Sequence, residues 1–198
     1  MKKATAVCIF LSVVCFISSA YSAPVYYTAT LDGLSESPPN ASPGTGFTEV
    51  WIDTVAHLLN VDVTFSGLLA PNTASHIHAA TAVPYTGTAG VATVTPTFTG
   101  FPSGVTSGTY SHTFDTSLAA SFSPAFVTAN GGTPATAEAA LFAAISAGRA
   151  YLNIHTSLYP GGEIRGFLMP KTVPEPTTML LLGLGLMGLA GVRRKIQR

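Results

Sequence analysis

The chain of 198 residues carries nine basic and nine acidic side chains, but these charges are unevenly distributed. Residues 24–170 hold two arginines against eight acidic residues, a net charge of −6, whereas both ends of the chain are basic. An acidic body repels phosphate backbones, which excludes nucleic acid as a partner. Both cysteines, Cys8 and Cys15, precede this body, so disulfides, thiolate metal sites and cysteine nucleophiles are excluded from it.

The N-terminal segment has the pattern of a secretory signal. Two lysines precede an apolar run over residues 4–17, and the small residues Ala20 and Ser22 suit the −3 and −1 positions of a cleavage site. The pattern predicts a signal peptide over residues 1–22 that is cleaved after Ser22. Cleavage after Ala23 is the second choice. A retained membrane anchor is a further alternative, although the apolar run is short for a span of about 20 residues.

The body, residues 23–170, is rich in threonine, alanine, serine, glycine and proline, and its apolar residues recur with the period of strands. Leu59, Val61, Val63 and Phe65, for example, alternate with polar residues, as in a half-buried strand. Turn-forming clusters of proline, glycine and asparagine separate such runs. We predict eight strands, over residues 25–32, 46–53, 58–66, 74–79, 91–98, 108–115, 149–156 and 163–169.

One helix is predicted over residues 136–147, because this stretch is rich in alanine and leucine and is followed by Gly148 as a C-cap. Eight short strands and one helix predict an all-β fold, an antiparallel Greek-key sandwich or barrel with one short helix. A signal segment would precede this domain and a hydrophobic helix would follow it. Residues 101–107 and 117–132 have the least regular pattern, and we expect mobile surface loops there.

Three histidines lie on two of the predicted strands. Side chains two residues apart on a strand share a face, so His76 and His78 project together, and His155 projects from the opposite face to Leu152 and Ile154. Glu163 and Arg165 are expected to point away from the core on the next strand. If these strands are neighbours, three imidazoles form a candidate copper or zinc site, and the Glu163 carboxylate could orient a ring nitrogen.

Other interpretations of these residues stay open. The histidines could form a hydrogen-bonded structural network on a polar sheet face, with Glu163 and Arg165 as an ion pair. His57 and His112 have no companions, although His112 could supply a fourth ligand. The body has no G-x-S-x-G motif and no phosphate-binding glycine loop, so we expect a binding protein more than an enzyme, and a metalloenzyme is the weaker alternative.

The C-terminal segment, residues 171–198, begins with the sequence Val173, Pro174, Glu175, Pro176. An apolar stretch over residues 177–192 and a cluster of basic residues follow. Sixteen helical residues reach roughly 24 Å, slightly short of the hydrocarbon core of a bilayer, so the stretch predicts a weak C-terminal anchor. The basic cluster would stay cytoplasmic.

This three-part segment resembles the PEP-CTERM sorting signal of Gram-negative bacteria. The resemblance implies recognition by an exosortase-type membrane protease and removal of a tail that first lies in the inner membrane. It also implies delivery to the cell envelope, at the outer surface or in an extracellular matrix. A tail that is retained in the membrane is the alternative.

The body resembles the CHRD domain, a module named after chordin that also occurs in bacterial exported proteins. Seven short motifs carry this resemblance, in the family's order. They are Leu31-Asp32-Gly33, Glu36-Ser37-Pro38-Pro39, Pro43-Gly44-Thr45-Gly46, Thr64-Phe65-Ser66-Gly67-Leu68, Ser75-His76-Ile77-His78, Tyr151-Leu152-Asn153-Ile154-His155-Thr156 and Pro160-Gly161-Gly162-Glu163-Ile164-Arg165-Gly166. The family is associated with extracellular binding, which in chordin antagonises growth factors.

The sequence therefore predicts an exported protein of the cell envelope that acts as a binding or matrix-interaction module. Its expected partners are an exosortase and either an envelope polysaccharide or an extracellular protein. The alternative function is binding of copper or zinc by His76, His78 and His155.

Overall fold

The computed structural model describes residues 23–171 and 182–187. Two predicted features, cleavage after Ser22 and the sorting motif from Val173 to Pro176, lie outside the described residues. Residues 182–187, within the predicted membrane segment 177–192, are helical. Within the described ranges, no helix has the length and apolar character needed to cross a membrane.

The body folds as one antiparallel sheet of eight strands. In chain order these are β1 (Val25–Asp32), β2 (Thr45–Asp53), β3 (Leu58–Ser66), β4 (Asn72–Ala79), β5 (Gly108–Asp115), β6 (Ala150–Thr156), β7 (Ile164–Phe167) and β8 (Met169–Pro170). Their spatial order is β4-β6-β7-β1-β2-β3-β5, and β8 pairs with β1 beyond the end of β7. The predicted all-β class is confirmed, and the sheet curls into a half-barrel.

The alternation of apolar and polar residues explains how the central strands form. Strands β1, β2 and β3 pair antiparallel along their full lengths, so their apolar residues stand in rows across one face. Leu31, Val50 and Val61 on this inner face are completely buried. Leu141 of the second helix and Phe98 of a loop belong to the same core and are equally buried. The core therefore lies in the concave side of the sheet.

The predicted strand 91–98 is wrong, because this segment runs along the edge of β4 without becoming a regular strand. Its backbone bonds to β4 at only a few points, and threonine side chains replace missing backbone partners. The Ile77 amide donates to Thr93 Oγ1 at 3.0 Å, and the Ser75 amide donates to Thr97 Oγ1 at 2.9 Å. Pro96 lacks a backbone donor and interrupts any regular ladder. The segment nevertheless covers this edge of the sheet.

Within residues 23–171, two α-helices are present where one was predicted. The predicted helix 136–147 is observed as α2 (Pro134–Ser146), which starts at a Thr133 N-cap whose hydroxyl accepts from the Thr136 amide. The additional helix, α1 (Pro124–Ala129), lies within residues 117–132, where a mobile loop was expected. Proline at its first turn and buried Phe126 explain why this stretch is ordered.

Candidate metal centre

Strands β4 and β6 bring the three predicted histidines together. In the antiparallel register Ala74 faces His155 and His76 faces Asn153, so the three imidazoles share one face of the sheet. The ring centroids of His76 lie 4.7 Å from those of both His78 and His155. One nitrogen from each ring can be chosen so that all three lie within 4.8 Å of one another. Sequence spacing and strand register together therefore produce a compact cluster of three imidazoles.

The apolar residues that alternate with the polar ones on these strands point into the core, as the period of two predicts. Ile77, Leu152, Ile154 and Ile164 are all completely buried on the opposite side. The histidine side is not an open polar wall, however, because loops cover it. His76 is 6% exposed and His78 is 8% exposed, and the backbone of Ala89 lies over the cluster. The site is thus enclosed between the sheet and a loop layer.

Hydrogen bonds fix the ring nitrogens that face the centre of the cluster. His78 Nδ1 lies 2.8 Å from the Ala89 carbonyl oxygen, and His155 Nδ1 lies 2.9 Å from the Pro160 carbonyl oxygen. A carbonyl oxygen only accepts, so both Nδ1 atoms must carry the proton. In a neutral ring Nε2 then has a free lone pair. The Nε2 atoms of His78 and His155 are therefore metal-competent acceptors without any change of tautomer.

Burial also keeps the rings neutral. The pKa of His76 is lowered from 6.5 to about 3, mainly by desolvation and to a smaller extent by the neighbouring His78 and His155. Desolvation lowers the pKa of His78 to about 4, although its bond to Ala89 opposes the shift. The pKa of His155 is lowered by the same cause. At neutral pH no proton competes with a metal ion for these nitrogens.

Unpaired polar atoms in the described residues concentrate around this cluster. Among all the described residues, seven buried side-chain nitrogen and oxygen atoms lack a hydrogen-bond partner. Six of them belong to neighbouring residues, namely both ring nitrogens of His76, Nε2 of His78 and of His155, Oδ1 of Asn153 and Oε1 of Glu36. The Pro96 backbone lies close enough to raise the pKa of His76, but neither ring nitrogen meets hydrogen-bond geometry. Buried polar groups are normally paired, so this concentration makes the cluster a candidate binding site.

The chemistry of the donors fits copper or zinc. Both ions bind neutral imidazole, with bonds of about 2.0–2.1 Å for zinc. The nitrogens lie within 4.8 Å of one another, so a single ion bound by all three would draw them closer together. A bound ion would supply a positive charge and, where a ligand position is open, a Lewis acid.

Glu163 does not take its predicted place beside the imidazoles. It precedes β7, which begins at Ile164, so the alternation of a strand does not set its direction. Its carboxylate is fully buried elsewhere and accepts from the Ser42 hydroxyl, the Leu69 amide and the Thr156 hydroxyl. The backbone carbonyls of Ala89 and Pro160 orient the rings instead.

Arg165 lies on the histidine side, directly opposite Asn153 in the register of β6 and β7. Its guanidinium carbon lies 4.7 Å from the ring centroid of Tyr151, which itself stacks on His78 at 4.8 Å. The ion pair of Arg165 is with Glu36, at 3.8 Å between Nε and Oε2, and not with Glu163.

Sequence reasoning did not assign Glu36 or Asn153 to the site. Asn153 could have been included, because it lies two residues from His155 and shares its face. Glu36 had no such signal, since its loop reaches the site only through tertiary folding. Burial raises the pKa of Glu36 from 4.5 to about 7, against the opposing effect of Arg165.

The two remaining histidines lie apart from the cluster. His112 is on β5, at the opposite edge of the sheet from β4, with its ring 4.5 Å from that of Phe114. It is therefore not a fourth ligand of the three-histidine group. His57 Nδ1 lies 3.0 Å from a carboxylate oxygen of Glu138 on α2, which ties the β2–β3 turn to that helix.

Comparison with known proteins identifies both parts of the chain. Residues 172–195 match the PEP-CTERM protein-sorting motif, so the chain carries a signal for export to the cell envelope and for processing by an exosortase, a membrane protease. No curated protein and no solved structure matches the chain. Residues 27–168, almost the whole sheet domain, match the CHRD domain. The chain therefore belongs to the CHRD domain family.

Proposed function

We propose that this protein is an exported metal-binding protein that holds one copper or zinc ion with His76, His78 and His155. The observation that carries the proposal is a group of buried imidazole nitrogens that lack hydrogen-bond partners, one from each of the three rings lying within 4.8 Å of the others. A purely structural histidine cluster would satisfy these lone pairs with donors from the protein, because an unpaired buried polar atom costs about 1–3 kcal/mol.

The proposed arrangement of the chain follows from its signals. Residues 1–22 act as a cleaved signal peptide, residues 23–170 form the metal-binding domain, and residues 171–198 form the sorting segment. The sheet domain then works outside the inner membrane, at the outer surface or in an extracellular matrix. The imidazoles of His76 and His78 are neutral at neutral pH because burial lowers their pKa, which suits capture of a metal ion in that compartment.

Metal analysis of the full-length protein, purified in detergent micelles, tests the proposal. We expect one equivalent of copper or zinc after exposure and dialysis. His76→Gln, His78→Gln and His155→Gln should each weaken binding by about 100-fold or more, because loss of even a supporting partner of a metal ligand costs 10–100-fold. His112→Gln is the matched control and should bind like the wild type. A protein that stays metal-free with both ions, or a control as defective as the ligand variants, contradicts the proposal.

A second candidate function, binding of an envelope polysaccharide, is favoured by the outer face of the other half of the sheet. The register places Thr30, Phe47, Thr64 and Thr109 in one row across β1, β2, β3 and β5. Phe47 is 47% exposed, and all three threonines are exposed. An exposed aromatic ring flanked by hydroxyl groups can stack on a sugar ring and bond its hydroxyls, so this face suits a matrix polymer.

A further inference from the structure

A surface cavity lies directly beside the histidine cluster. It has a volume of about 400 Å³ and opens between two loops, residues 36–40 and residues 158–162. Pro160 in its wall provides the carbonyl oxygen that accepts from His155 Nδ1. The cavity and the candidate metal centre therefore share a wall.

Gly162 lines the cavity and packs against the side chains of Glu36 and Asn153. Its φ is +129°, and a Cβ at this position would lie 2.6 Å from Asn153 Oδ1 and 2.6 Å from Glu36 Oε1. Both side-chain oxygens therefore pack directly against the Gly162 backbone, at distances that leave no room for a Cβ. Asn153 in turn faces His76 across the β4–β6 pair and lies on the same face as His155. Glu36 and Asn153 connect the cavity to the cluster.

The two oxygens at this position have no hydrogen-bond partners among the described residues. Glu36 is 6% exposed and Asn153 is 1% exposed, so solvent does not satisfy them fully. The contact of Arg165 with Glu36 is through Oε2 and leaves Oε1 unpaired. Burial of an acceptor without a partner is unfavourable, so a hydrogen-bond donor or a cation beside these oxygens would stabilise them.

We propose that this cavity is the route by which the metal ion reaches the histidines, with Glu36 Oε1 and Asn153 Oδ1 as temporary oxygen ligands on the way. The inference rests on the proposed metal-binding function. A hydrated cation must exchange its waters for protein ligands in steps, and a carboxylate followed by an amide oxygen provides those steps. Gly162 has no Cβ, which lets the Glu36 and Asn153 side chains pack against its backbone between the cavity and the histidines.

Rates of uptake test the route separately from affinity. In stopped-flow experiments with zinc or cuprous ion, Glu36→Gln in the full-length protein should lower the association rate constant about tenfold. The equilibrium affinity should stay within about twofold, so the dissociation rate constant must fall by nearly the same factor. Glu49→Gln is the matched control, since it removes the same charge from the surface of β2 and should bind at the wild-type rate.

A second variant tests the passage without changing charge. A Cβ at Gly161 would meet no atom within 4 Å, so Gly161→Phe is tolerated by the backbone and narrows the cavity. It should slow uptake several-fold, whereas Gly161→Ala should not. Unchanged rates in both Glu36→Gln and Gly161→Phe, with normal affinity, would overturn the route and leave the metal site intact. A wild-type protein that binds neither ion would overturn the route and the proposed function together.

Discussion

At the scale of single residues, the candidate site is defined by buried imidazole nitrogens that have no hydrogen-bond partner in the fold. The carbonyls of Ala89 and Pro160 hold two rings in one tautomer, and burial holds all three rings neutral. Each unpaired nitrogen costs stability in the metal-free protein. A metal ion would recover that cost, so binding and folding should be linked.

The lowered histidine pKa values predict that the metal-free protein loses stability in mild acid. Unfolded histidines bind protons below about pH 6.5, whereas in the fold His76, with a pKa of about 3, and His78, with a pKa of about 4, stay neutral well below that pH. The unfolded state therefore binds more protons, and the free energy of unfolding should fall by about 1 kcal/mol per histidine between pH 6.5 and pH 5. Urea denaturation at several pH values measures this, and His76→Gln should make the dependence shallower.

Glu36 has the opposite effect on the pH dependence of stability, so its contribution must be separated from that of the histidines. Burial raises its pKa in the fold to about 7, and Arg165, Asp32 and the Ser37 amide modify that value. Its contribution to stability is present below its unfolded pKa of 4.5 and is lost as the pH rises through 7. In Glu36→Gln protein the acid loss caused by the histidines should therefore be steeper. A flat profile in this variant would contradict the lowered histidine pKa values, and a profile shallower than that of the wild type would contradict the raised pKa of Glu36.

At the scale of elements, the two halves of the sheet serve different purposes. Strands β4, β6 and β7 have both faces covered, which creates the enclosed site. Strands β1, β2, β3 and β5 bury only one face and leave alternate residues in solvent. The second half is therefore the part of the domain that can contact a large polymer.

The exposed row on this half predicts retention on polysaccharide. Phe47→Ala should reduce binding of the protein to purified envelope polysaccharide about tenfold in a sedimentation assay, because it removes the one exposed ring of the row. Folding should be unaffected, since Phe47 points away from the core. Leu118→Ala, another exposed apolar residue outside the row, is the control. Equal binding by wild type and Phe47→Ala would exclude this face as the contact surface.

Elements were predictable where local pattern sets the structure. The alternation in β1, β3 and β6 gave correct strands, and it also placed His76, His78 and His155 on one face. The segment 91–98 was not predictable, because its apolar and threonine residues pack against β4 through side-chain bonds that need the folded neighbour. Glu163 was misplaced for a related reason, since the residue before a strand does not follow the strand's alternation.

At the scale of the whole molecule, the all-β class could be predicted, but the strand order and the curling of a single sheet could not. Many short strands indicate an all-β domain, yet a sandwich and a curled single sheet have the same local pattern. The loop of Glu36 meets the loop of Gly162 only because β1 and β7 become neighbours in the sheet. Such contacts between distant parts of the chain depend on topology, which single-sequence patterns do not contain.

The sorting segment predicts where the protein is finally located and whether its C-terminal tail is removed. In cells that possess an exosortase, mass spectrometry of the envelope protein should show loss of the segment after the Pro174-Glu175-Pro176 motif. Cells without the protease should accumulate a longer form in the inner-membrane fraction, because the apolar stretch 177–192 then stays in the bilayer. Deletion of residues 172–198 should give an exported sheet domain that the envelope does not retain, while Lys171→Gln, adjacent to the motif, should be processed normally. An identical mass in both kinds of cell would show that the tail is a permanent anchor.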